Sequence, residues 1–426
     1  MSNWVTRDAE SIWHPFTPLK GMEPPLAVTK AEGVYLHTEG GGQVIDAISS
    51  WWVNLHGHSH PRIAEAIAEQ ARTLEHVIFA GFTHPPAVTL AERLLGHLPD
   101  NQNKIFYSDN GSTAVEVALK MAMQYWYNRG EDKPTIVALD GSYHGDTFGS
   151  MSVGDRSPFS APFDRYLFDV EFLEFPTAER EAAVLAQFAQ LCETGRVGAF
   201  IFEPLVQGAS GMRMYRAELL DGLLAVAKQH GVLCIADEVM TGFGRTGPLF
   251  ACERLKNKPD MFCLSKGITG GALPMGVTSC TAEVMEAYNT RDLKKTFFHG
   301  HSFTANPMAC AAALASLDLL EAEACTAQRA AIAQAHARFA ERLKDHPKVQ
   351  NLRTMGTIVA FDYVAIGEAE TSYFNEARHR LYPFFIEQGV LLRPLGNVVY
   401  VLPPYCITRE QLDVVYNAIH AALERV

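Results

Sequence analysis

Short, continuous apolar runs alternate with amphipathic segments from about residue 103 onwards. Four of these runs, at 135–139, 198–204, 232–238 and 261–265, stay apolar almost to their last positions. Unbroken runs of this length are typical of strands that are covered on both faces, and strands that alternate with helices form parallel sheets. Ligands of such folds bind beyond the carboxyl ends of the strands. The pattern therefore predicts an α/β fold whose functional residues lie where the runs end.

The segment that follows the apolar run 104–108 has the spacing of an amphipathic helix. We expect Ser112 or Thr113 to be its N-cap and Gly130 to close it. A second, much longer helical stretch begins after Ala305 and leads into the C-terminal hundred residues.

Both ends of the chain predict a smaller α+β unit. The segment 389–404 is typical of a hairpin that turns at Gly396 and Asn397, and the first fifty residues are expected to be extended and turn-rich. The sequence thus predicts a large domain at 51–325, and a small domain that combines an N-terminal segment at 1–50 with residues 326–426.

Composition narrows the class of protein. The chain has 426 residues, of which 48% are hydrophobic and 20% charged, as in ordinary globular proteins. Its net charge of -12, without a cluster of Lys and Arg, disfavours a nucleic-acid surface and leaves a small molecule as the expected partner. The eight cysteines form no C-x-x-C pair, and the N-terminus lacks the order of a signal peptide. We therefore expect reduced thiols and a cytoplasmic, membrane-free protein.

Several motifs that suggest other chemistries fail on context. The stretch 242–247, "GFGRTG", matches a dinucleotide fingerprint but lies five residues beyond its strand and precedes a proline. No Gly-Lys pair exists, which excludes a P-loop. The histidines of "HGHSH" and "FHGHS" lack metal-ligand spacing, so we expect no metal and interpret them as hydrogen-bonded or pocket-lining residues.

Two ionisable residues at neighbouring run ends suggest a cofactor site. Asp237 ends one buried run, and Lys266 follows 29 residues later at the end of the next. Alone, Asp237 would be interpreted as a cap or salt bridge and Lys266 as a surface charge. Together they fit pyridoxal phosphate, with Lys266 as its Schiff-base amine and Asp237 beside the ring nitrogen. Gly111 and Ser112 offer a helix N-terminus to the phosphate, and Tyr143 offers an aromatic face.

With these residues, the chain resembles the class III aminotransferases of the fold-type I pyridoxal phosphate enzymes. The stretches that carry the resemblance are "CIADEVMTGFGRTG", "PDMFCLSKGITGG", "SSWWVNLHGHSHP" and "NGSTAVEVALKMA". The resemblance implies a large domain with a mostly parallel seven-stranded sheet between helices, plus a smaller α+β domain formed by both termini. It also implies a homodimer with active sites shared across the interface.

The same resemblance assigns roles to individual residues. It implies that Lys266, Asp237 and Tyr143 are catalytic and that Lys266 shuttles the proton. The cofactor-binding residues would be Gly111, Ser112, Tyr143, Asp237 and Lys266, with His301 and Ser302 reaching the partner's cofactor. The substrate-binding residues would be Phe16, Trp51, Trp52, Tyr143, Lys266, Gly300 and Arg393, where Arg393 pairs with a carboxylate and Phe16 replaces the usual tyrosine. Adjacent tryptophans in a strand would face opposite ways, so at least one should face a cavity.

Within the family, the likeness is to members that convert 8-amino-7-oxononanoate into 7,8-diaminononanoate, a step of biotin biosynthesis, with S-adenosyl-L-methionine as amino donor. Relatives that use 2-oxoglutarate carry a glutamate after "QG", where this chain has Ala209. Alternatives stay open: another class III ω-amino-acid or diamine transaminase, a different donor such as lysine, a mutase or decarboxylase on the same fold, or a catalytically silent relative.

Overall fold

The computed structural model describes residues 3–21, 24–364, 371–372 and 375–426. The strands are β1 (Val28–Glu32), β2 (Tyr35–Thr38), β3 (Gln43–Asp46), β4 (Gln102–Ser108), β5 (Thr135–Leu139), β6 (Glu171–Leu173), β7 (Val197–Phe202), β8 (Val206–Gln207), β9 (Arg213–Met214), β10 (Leu233–Asp237), β11 (Met261–Leu264), β12 (Gly276–Thr281), β13 (Val349–Met355), β14 (Ile358–Tyr363), β15 (Val390–Leu391) and β16 (Val398–Val401). The α-helices are α1 (Asn3–Ser11), α2 (Ser49–Trp52), α3 (Pro61–Thr73), α4 (Pro85–His97), α5 (Gly111–Arg129), α6 (Phe148–Ser152), α7 (Glu181–Glu193), α8 (Ala217–Gln229), α9 (Ala282–Glu286), α10 (Pro307–Glu321), α11 (Glu323–Leu343), α12 (Ala377–Glu387) and α13 (Arg409–Arg425).

A seven-stranded sheet with the order β4-β12-β11-β10-β7-β5-β6 forms the centre of the large domain. Only β12 runs antiparallel to its neighbours, so the mostly parallel sheet expected from the sequence is confirmed. Alternate residues of each strand enter different cores: Leu233 and Ile235 pack with helix α5, whereas Cys234 and Ala236 pack with α8 on the other face. Burial on both faces explains why the runs are continuously apolar.

Helix α5 begins two or three residues earlier than the sequence suggested. Its N-cap is Asn110, not Ser112 or Thr113, because Asn110 Oδ1 accepts the Thr113 N–H at 2.9 Å and Thr113 Oγ1 accepts the Asn110 N–H in return. This capping box frees Gly111 and Ser112 to form the first turn. Gly130 closes the helix in the left-handed conformation, as expected.

The smaller α+β unit draws strands from both termini. Strand β15 lies parallel to β3 in the sheet β1-β2-β3-β15, while β16 belongs to the sheet β13-β14-β16. The expected turn at Gly396 and Asn397 is confirmed, because Leu395 and Val398 exchange two backbone hydrogen bonds of 3.0 Å across it. The apolar runs on either side do not continue as a hairpin, since they pair with different sheets. The first fifty residues also contain helix α1, which the extended interpretation missed. The domain limits at 50 and 325 stay a prediction.

Two further findings concern the chain as a whole. All eight cysteines are unpaired, and seven are buried. Within the described ranges, none of the helices has both the length and the apolar character needed to cross a bilayer.

Candidate active site

A cavity of about 580 Å³ opens at the carboxyl ends of the central strands. Its wall includes the ends of β7 and β10, the turn after β11 and the first turn of α5. Six of the residues singled out in the sequence line it: Trp52, Gly111, Ser112, Tyr143, Asp237 and Lys266. The fold thus brings together side chains that are up to 214 positions apart in the sequence, from Trp52 to Lys266.

Lys266 is the amine of this cavity. It directly follows Ser265 at the end of β11, and its φ of 47° lies in the left-handed region that non-glycine residues rarely adopt. Burial lowers the pKa of Lys266 to about 8, while the nearby charges of Asp237 and Glu203 act to raise it. Its Nζ lies 4.5 Å from the ring centroid of Trp52. The lysine is therefore a strained, partly desolvated amine and not a solvated surface charge.

Asp237 is buried at the end of β10, where two donors orient its carboxylate. Its Oδ2 accepts a hydrogen bond from His144 Nδ1 at 2.7 Å, and its Oδ1 accepts the Val239 N–H at 3.0 Å. The other ring nitrogen of His144, Nε2, is buried and has no hydrogen-bond partner among the described residues. Sequence reasoning missed His144, although it stands next to Tyr143 in "GSYHGDT".

The first turn of α5 provides a cradle for an anion. A side chain at Gly111 would come within 2.8 Å of Val239 Cγ1, and one at Gly145 would collide with Ser112 Oγ. Gly145 also has a φ of 132°, which other residues rarely adopt. Ser112 Oγ accepts the Asp146 N–H at 3.2 Å. Free backbone N–H groups at the start of a helix of 19 residues bind phosphate well, so these residues fit the cofactor that the sequence suggested.

Glu203 is a second residue that sequence reasoning missed. It follows β7, lines the cavity, and accepts the Tyr143 N–H at 3.1 Å and the Gly208 N–H at 2.9 Å. Burial raises the pKa of Glu203 to about 7. It therefore holds the backbone of Tyr143 at the edge of the cavity.

The glycines after Lys266 pack against a neighbouring chain segment. A side chain at Gly267 would come within 3.1 Å of Leu55. A side chain at Gly271 would come within 2.9 Å of the Val53 backbone. Gly270 and Gly271 have left-handed φ values of 64° and 85° and form a tight turn. These glycines admit the chain segment that carries the two tryptophans.

Trp51 and Trp52 lie in a kinked turn instead of the expected strand. Ser50 and Trp51 within α2 have non-helical dihedral angles, and Trp52 has a φ of 65°. Trp52 is buried in the cavity wall, which confirms that one of the pair faces a cavity. Its Nε1–H donates to the Tyr400 hydroxyl at 3.1 Å.

Trp51 belongs to an aromatic group outside the cavity wall. Its ring centroid lies 5.6 Å from that of Phe16, which lies 6.1 Å from that of Phe159. The guanidinium of Arg393 sits 5.1 Å from the Trp51 ring centroid. Phe16, Trp51 and Phe159 are each about 40% exposed. We call Phe16, Trp51, Phe159 and Arg393 the aromatic mouth.

The loop with Gly300, His301 and Ser302 does not line the cavity of its own chain. Gly300 and Ser302 are exposed, and so are the flanking rings of Phe298 and Phe303. His84 Nε2 donates to the Ala305 carbonyl at 2.8 Å and anchors the end of this loop. The sequence-predicted residues therefore separate into three groups: the cavity residues, the members of the aromatic mouth, and this loop outside the cavity.

The histidines of "HGHSH" have hydrogen-bond partners. His56 Nε2 lies 3.1 Å from Ser316 Oγ, and His58 Nε2 lies 2.8 Å from Asp46 Oδ2. No group of three or more potential metal ligands occurs among the described residues. Both histidines therefore have structural partners within the fold.

Comparison with known proteins agrees with this geometry. The chain is 51% identical over 423 residues to the adenosylmethionine-8-amino-7-oxononanoate aminotransferase of Synechococcus elongatus, covering 97% of this chain and 99% of that protein. A crystal structure of the enzyme of that name from Methanocaldococcus jannaschii superposes with a TM-score of 0.94 at 35% identity, covering 99% of both chains. An amine transaminase from an uncultivated Pseudomonas species, solved in its pyridoxal phosphate-bound form, has a TM-score of 0.89 at 31% identity, covering 97% of this chain and 98% of that one. The sequence model of the family described as "Aminotransferase class-III" matches residues 18–423, and the chain belongs to this family of pyridoxal phosphate-dependent aminotransferases.

Proposed function

We propose that this aminotransferase transfers an amino group from S-adenosyl-L-methionine to the ketone of 8-amino-7-oxononanoate, giving 7,8-diaminononanoate for biotin biosynthesis. The observation that carries the proposal is the identity of 51% over nearly the full length of a relative that is named for these two substrates. Ala209 adds support, since the glutamate that 2-oxoglutarate-dependent relatives place after "QG" is absent.

Different cavity residues would bind different parts of the cofactor. Gly111 and Ser112 would bind its phosphate through the N-terminus of α5, and Tyr143 would cover the ring or touch the substrate. Asp237 would bind the ring nitrogen, with its carboxylate already oriented by His144. When bound, pyridoxal phosphate supplies a carbonyl that condenses with amines and an electron sink that stabilises the adjacent carbanion.

Lys266 would hold the cofactor and then move the proton. An amine with a pKa of about 8 is neutral in a substantial fraction of molecules near neutral pH, whereas an ordinary lysine is almost wholly protonated. Once the donor has displaced it, Nζ would take the proton from the donor carbon and pass it on to the cofactor carbon. Trp52 beside this nitrogen excludes water from that side of the cavity.

The aromatic mouth would bind the long substrates. Arg393 would pair with a substrate carboxylate through two parallel hydrogen bonds, and stacking against Trp51 would hold its guanidinium plane. Trp51 and Phe16 would contact the hydrocarbon chain of the ketone, and Phe16 offers no hydroxyl to the donor.

The loop at Gly300, His301 and Ser302 is proposed to complete the site of a second copy in a homodimer. Its position outside the cavity of its own chain and the exposed rings of Phe298 and Phe303 support this arrangement, because such apolar side chains are normally covered. In the dimer, Ser302 and His301 would bind the partner's cofactor phosphate, and Gly300 would touch the substrate. The dimer is proposed to be cytoplasmic, consistent with the eight free thiols of each chain.

The donor and acceptor are tested together. Purified protein loaded with pyridoxal phosphate is mixed separately with S-adenosyl-L-methionine, lysine, alanine and 4-aminobutyrate, and the loss of the visible cofactor band is recorded. We expect bleaching with S-adenosyl-L-methionine and, after addition of 8-amino-7-oxononanoate, recovery of the band with formation of the diamine by mass spectrometry. Bleaching by lysine alone would change the donor, and no diamine with any donor would overturn the substrate assignment.

A mixed dimer tests the shared site. Lys266→Ala inactivates the site of its own subunit, while Ser302→Ala would damage the site of the partner. In a heterodimer of the two variants one site contains both defects and the other contains neither. We expect activity to return to about half the wild-type value per dimer, as one of two sites is intact. Activity equal to the mean of the two parent dimers would show that Ser302 does not act across the interface.

A further inference from the structure

The segment 48–59, which we call the tryptophan turn, adopts an unusual backbone. Four of its non-glycine residues have left-handed φ values: Ser49 at 54°, Ser50 at 60°, Trp52 at 65° and Ser59 at 53°. Each such residue costs free energy and persists only where its surroundings hold it. The turn therefore needs contacts that fix its conformation.

Asp46 and His58 supply these contacts from the two ends of the turn. The fully buried carboxylate of Asp46 accepts the Ile48 N–H at 3.2 Å and the Ser50 Oγ–H at 2.9 Å. It also accepts a hydrogen bond from His58 Nε2 at 2.8 Å. The second ring nitrogen, His58 Nδ1, lies 3.2 Å from Asn54 Nδ2 and accepts from that amide. One histidine thus links the start of the turn to its middle and end.

The turn packs directly against the residues that follow Lys266. Side chains added at Gly267 and Gly270 would come within 3.1 Å of Leu55 and 3.2 Å of His56. The same turn carries Trp52, whose ring lies 4.5 Å from Lys266 Nζ. Any change in the turn is therefore transmitted to both sides of the lysine.

We propose that Asp46 and His58 are positioning residues for the transamination. Their hydrogen bond holds the tryptophan turn in the strained conformation that places Trp52 beside Lys266. The same conformation packs Leu55 and His56 against the glycines that follow Lys266. Neither side chain lines the cavity, so neither acts on cofactor or substrate directly. The inference rests on the proposed role of Lys266 but not on the identity of the substrates.

Three substitutions of His58 separate the hydrogen bond from the shape of the side chain. The amide nitrogen of Gln reaches about as far as Nε2 of His, the amide of Asn reaches only as far as Nδ1, and Leu fills space without a donor. We expect His58→Leu and His58→Asn to lower kcat/KM for both substrates about tenfold, and His58→Gln to stay within about threefold of wild type. The affinity for pyridoxal phosphate, measured by quenching of tryptophan fluorescence, should follow the same order without any substrate present.

Asp318→Asn is the matched control, because it removes a carboxylate from the exposed ion pairs with Arg62 and Arg93. Asp318→Asn should leave kcat/KM and the cofactor affinity unchanged. Asp46→Asn should lower both as His58→Leu does, and it takes the place of His58→Leu if that variant does not fold. Equal kcat/KM and cofactor affinity in His58→Gln and His58→Leu would overturn the inference. So would losses of activity that are explained by the lowered melting temperatures of the variants alone. If the cofactor affinities follow the expected order while wild type makes no 7,8-diaminononanoate, the proposed substrate fails and the positioning role stands.

Discussion

The strand-end residues and the aromatic mouth lie close together but are built in different ways. Asp237 and Lys266 sit at the ends of adjacent parallel strands, so the sheet register fixes their separation. Phe16, Trp51 and Arg393 come from three segments outside the central sheet, and ring contacts of 5 to 6 Å hold them together. The sheet therefore holds the proposed cofactor residues rigidly, whereas the proposed substrate residues lie on separate segments, of which Phe16 and Arg393 can change without disturbing the sheet.

The largest test of this contrast removes the strand-end amine. Lys266→Ala should lower kcat by about 10⁴-fold, because the amine that is proposed to move the proton is lost. Borohydride should no longer fix the cofactor covalently to the protein, which is checked by the mass of the peptide that contains residue 266. Lys256→Ala, a change of an exposed lysine ten positions earlier, should leave both unchanged. Full turnover by Lys266→Ala would remove the chemical assignment of the whole cavity.

The pH dependence of cofactor attachment tests the burial of the same amine. Because burial lowers the pKa of Lys266 to about 8, the amine is protonated below that pH and reactive above it. The rate at which cofactor-free protein binds pyridoxal phosphate should rise about a hundredfold between pH 6 and pH 9 and then level off. Stopped-flow absorbance checks this against acetyl-lysine amide, whose rate should continue to rise towards pH 10. A protein profile that matches acetyl-lysine amide would contradict the desolvated site.

Within the aromatic mouth, Arg393→Ala should raise KM for 8-amino-7-oxononanoate about 30-fold, the equivalent of about 2 kcal/mol for a charge-assisted hydrogen-bond pair. Steady-state kinetics should show kcat changed far less, since the strand-end residues are untouched. Arg393→Lys keeps the positive charge but cannot form two parallel hydrogen bonds, so its KM should lie between those of wild type and Arg393→Ala. A loss confined to kcat would place Arg393 with the chemistry and break the division between the two regions.

The smallest expected effect concerns Phe16. Phe16→Tyr adds a hydroxyl at the edge of the mouth and should lower KM for S-adenosyl-L-methionine about threefold, as one exposed hydrogen bond does. Phe159→Tyr, which adds a hydroxyl to the neighbouring ring, serves as the control. An equal change in both variants would mean that the position of the hydroxyl does not select the donor.

The continuous apolar runs predicted the parallel strands because burial on both faces leaves a local signature. The rule that ligands bind where such strands end then predicted Asp237 and Lys266, and it also applied to Glu203, the second-last residue of the run 198–204. His144 had no such signal, since nothing local tells which ring reaches the Asp237 carboxylate. The pairing of the two runs beyond the Gly396 turn and the strand at Trp51 were wrong for a related reason. Strand partners and the conformation of a turn that is held by distant residues are tertiary properties.

The close packing of the tryptophan turn on Gly267 and Gly271 limits how this enzyme can be re-engineered. A library that enlarges the pocket at Trp52 would also shift the lysine, so wider substrate scope would come with poorer cofactor loading. Variation at Phe16 and Phe159 avoids this coupling, because these two rings contact each other and neither belongs to the tryptophan turn. Directed evolution towards bulkier ketones should therefore begin at these two phenylalanines and leave the tryptophan turn intact.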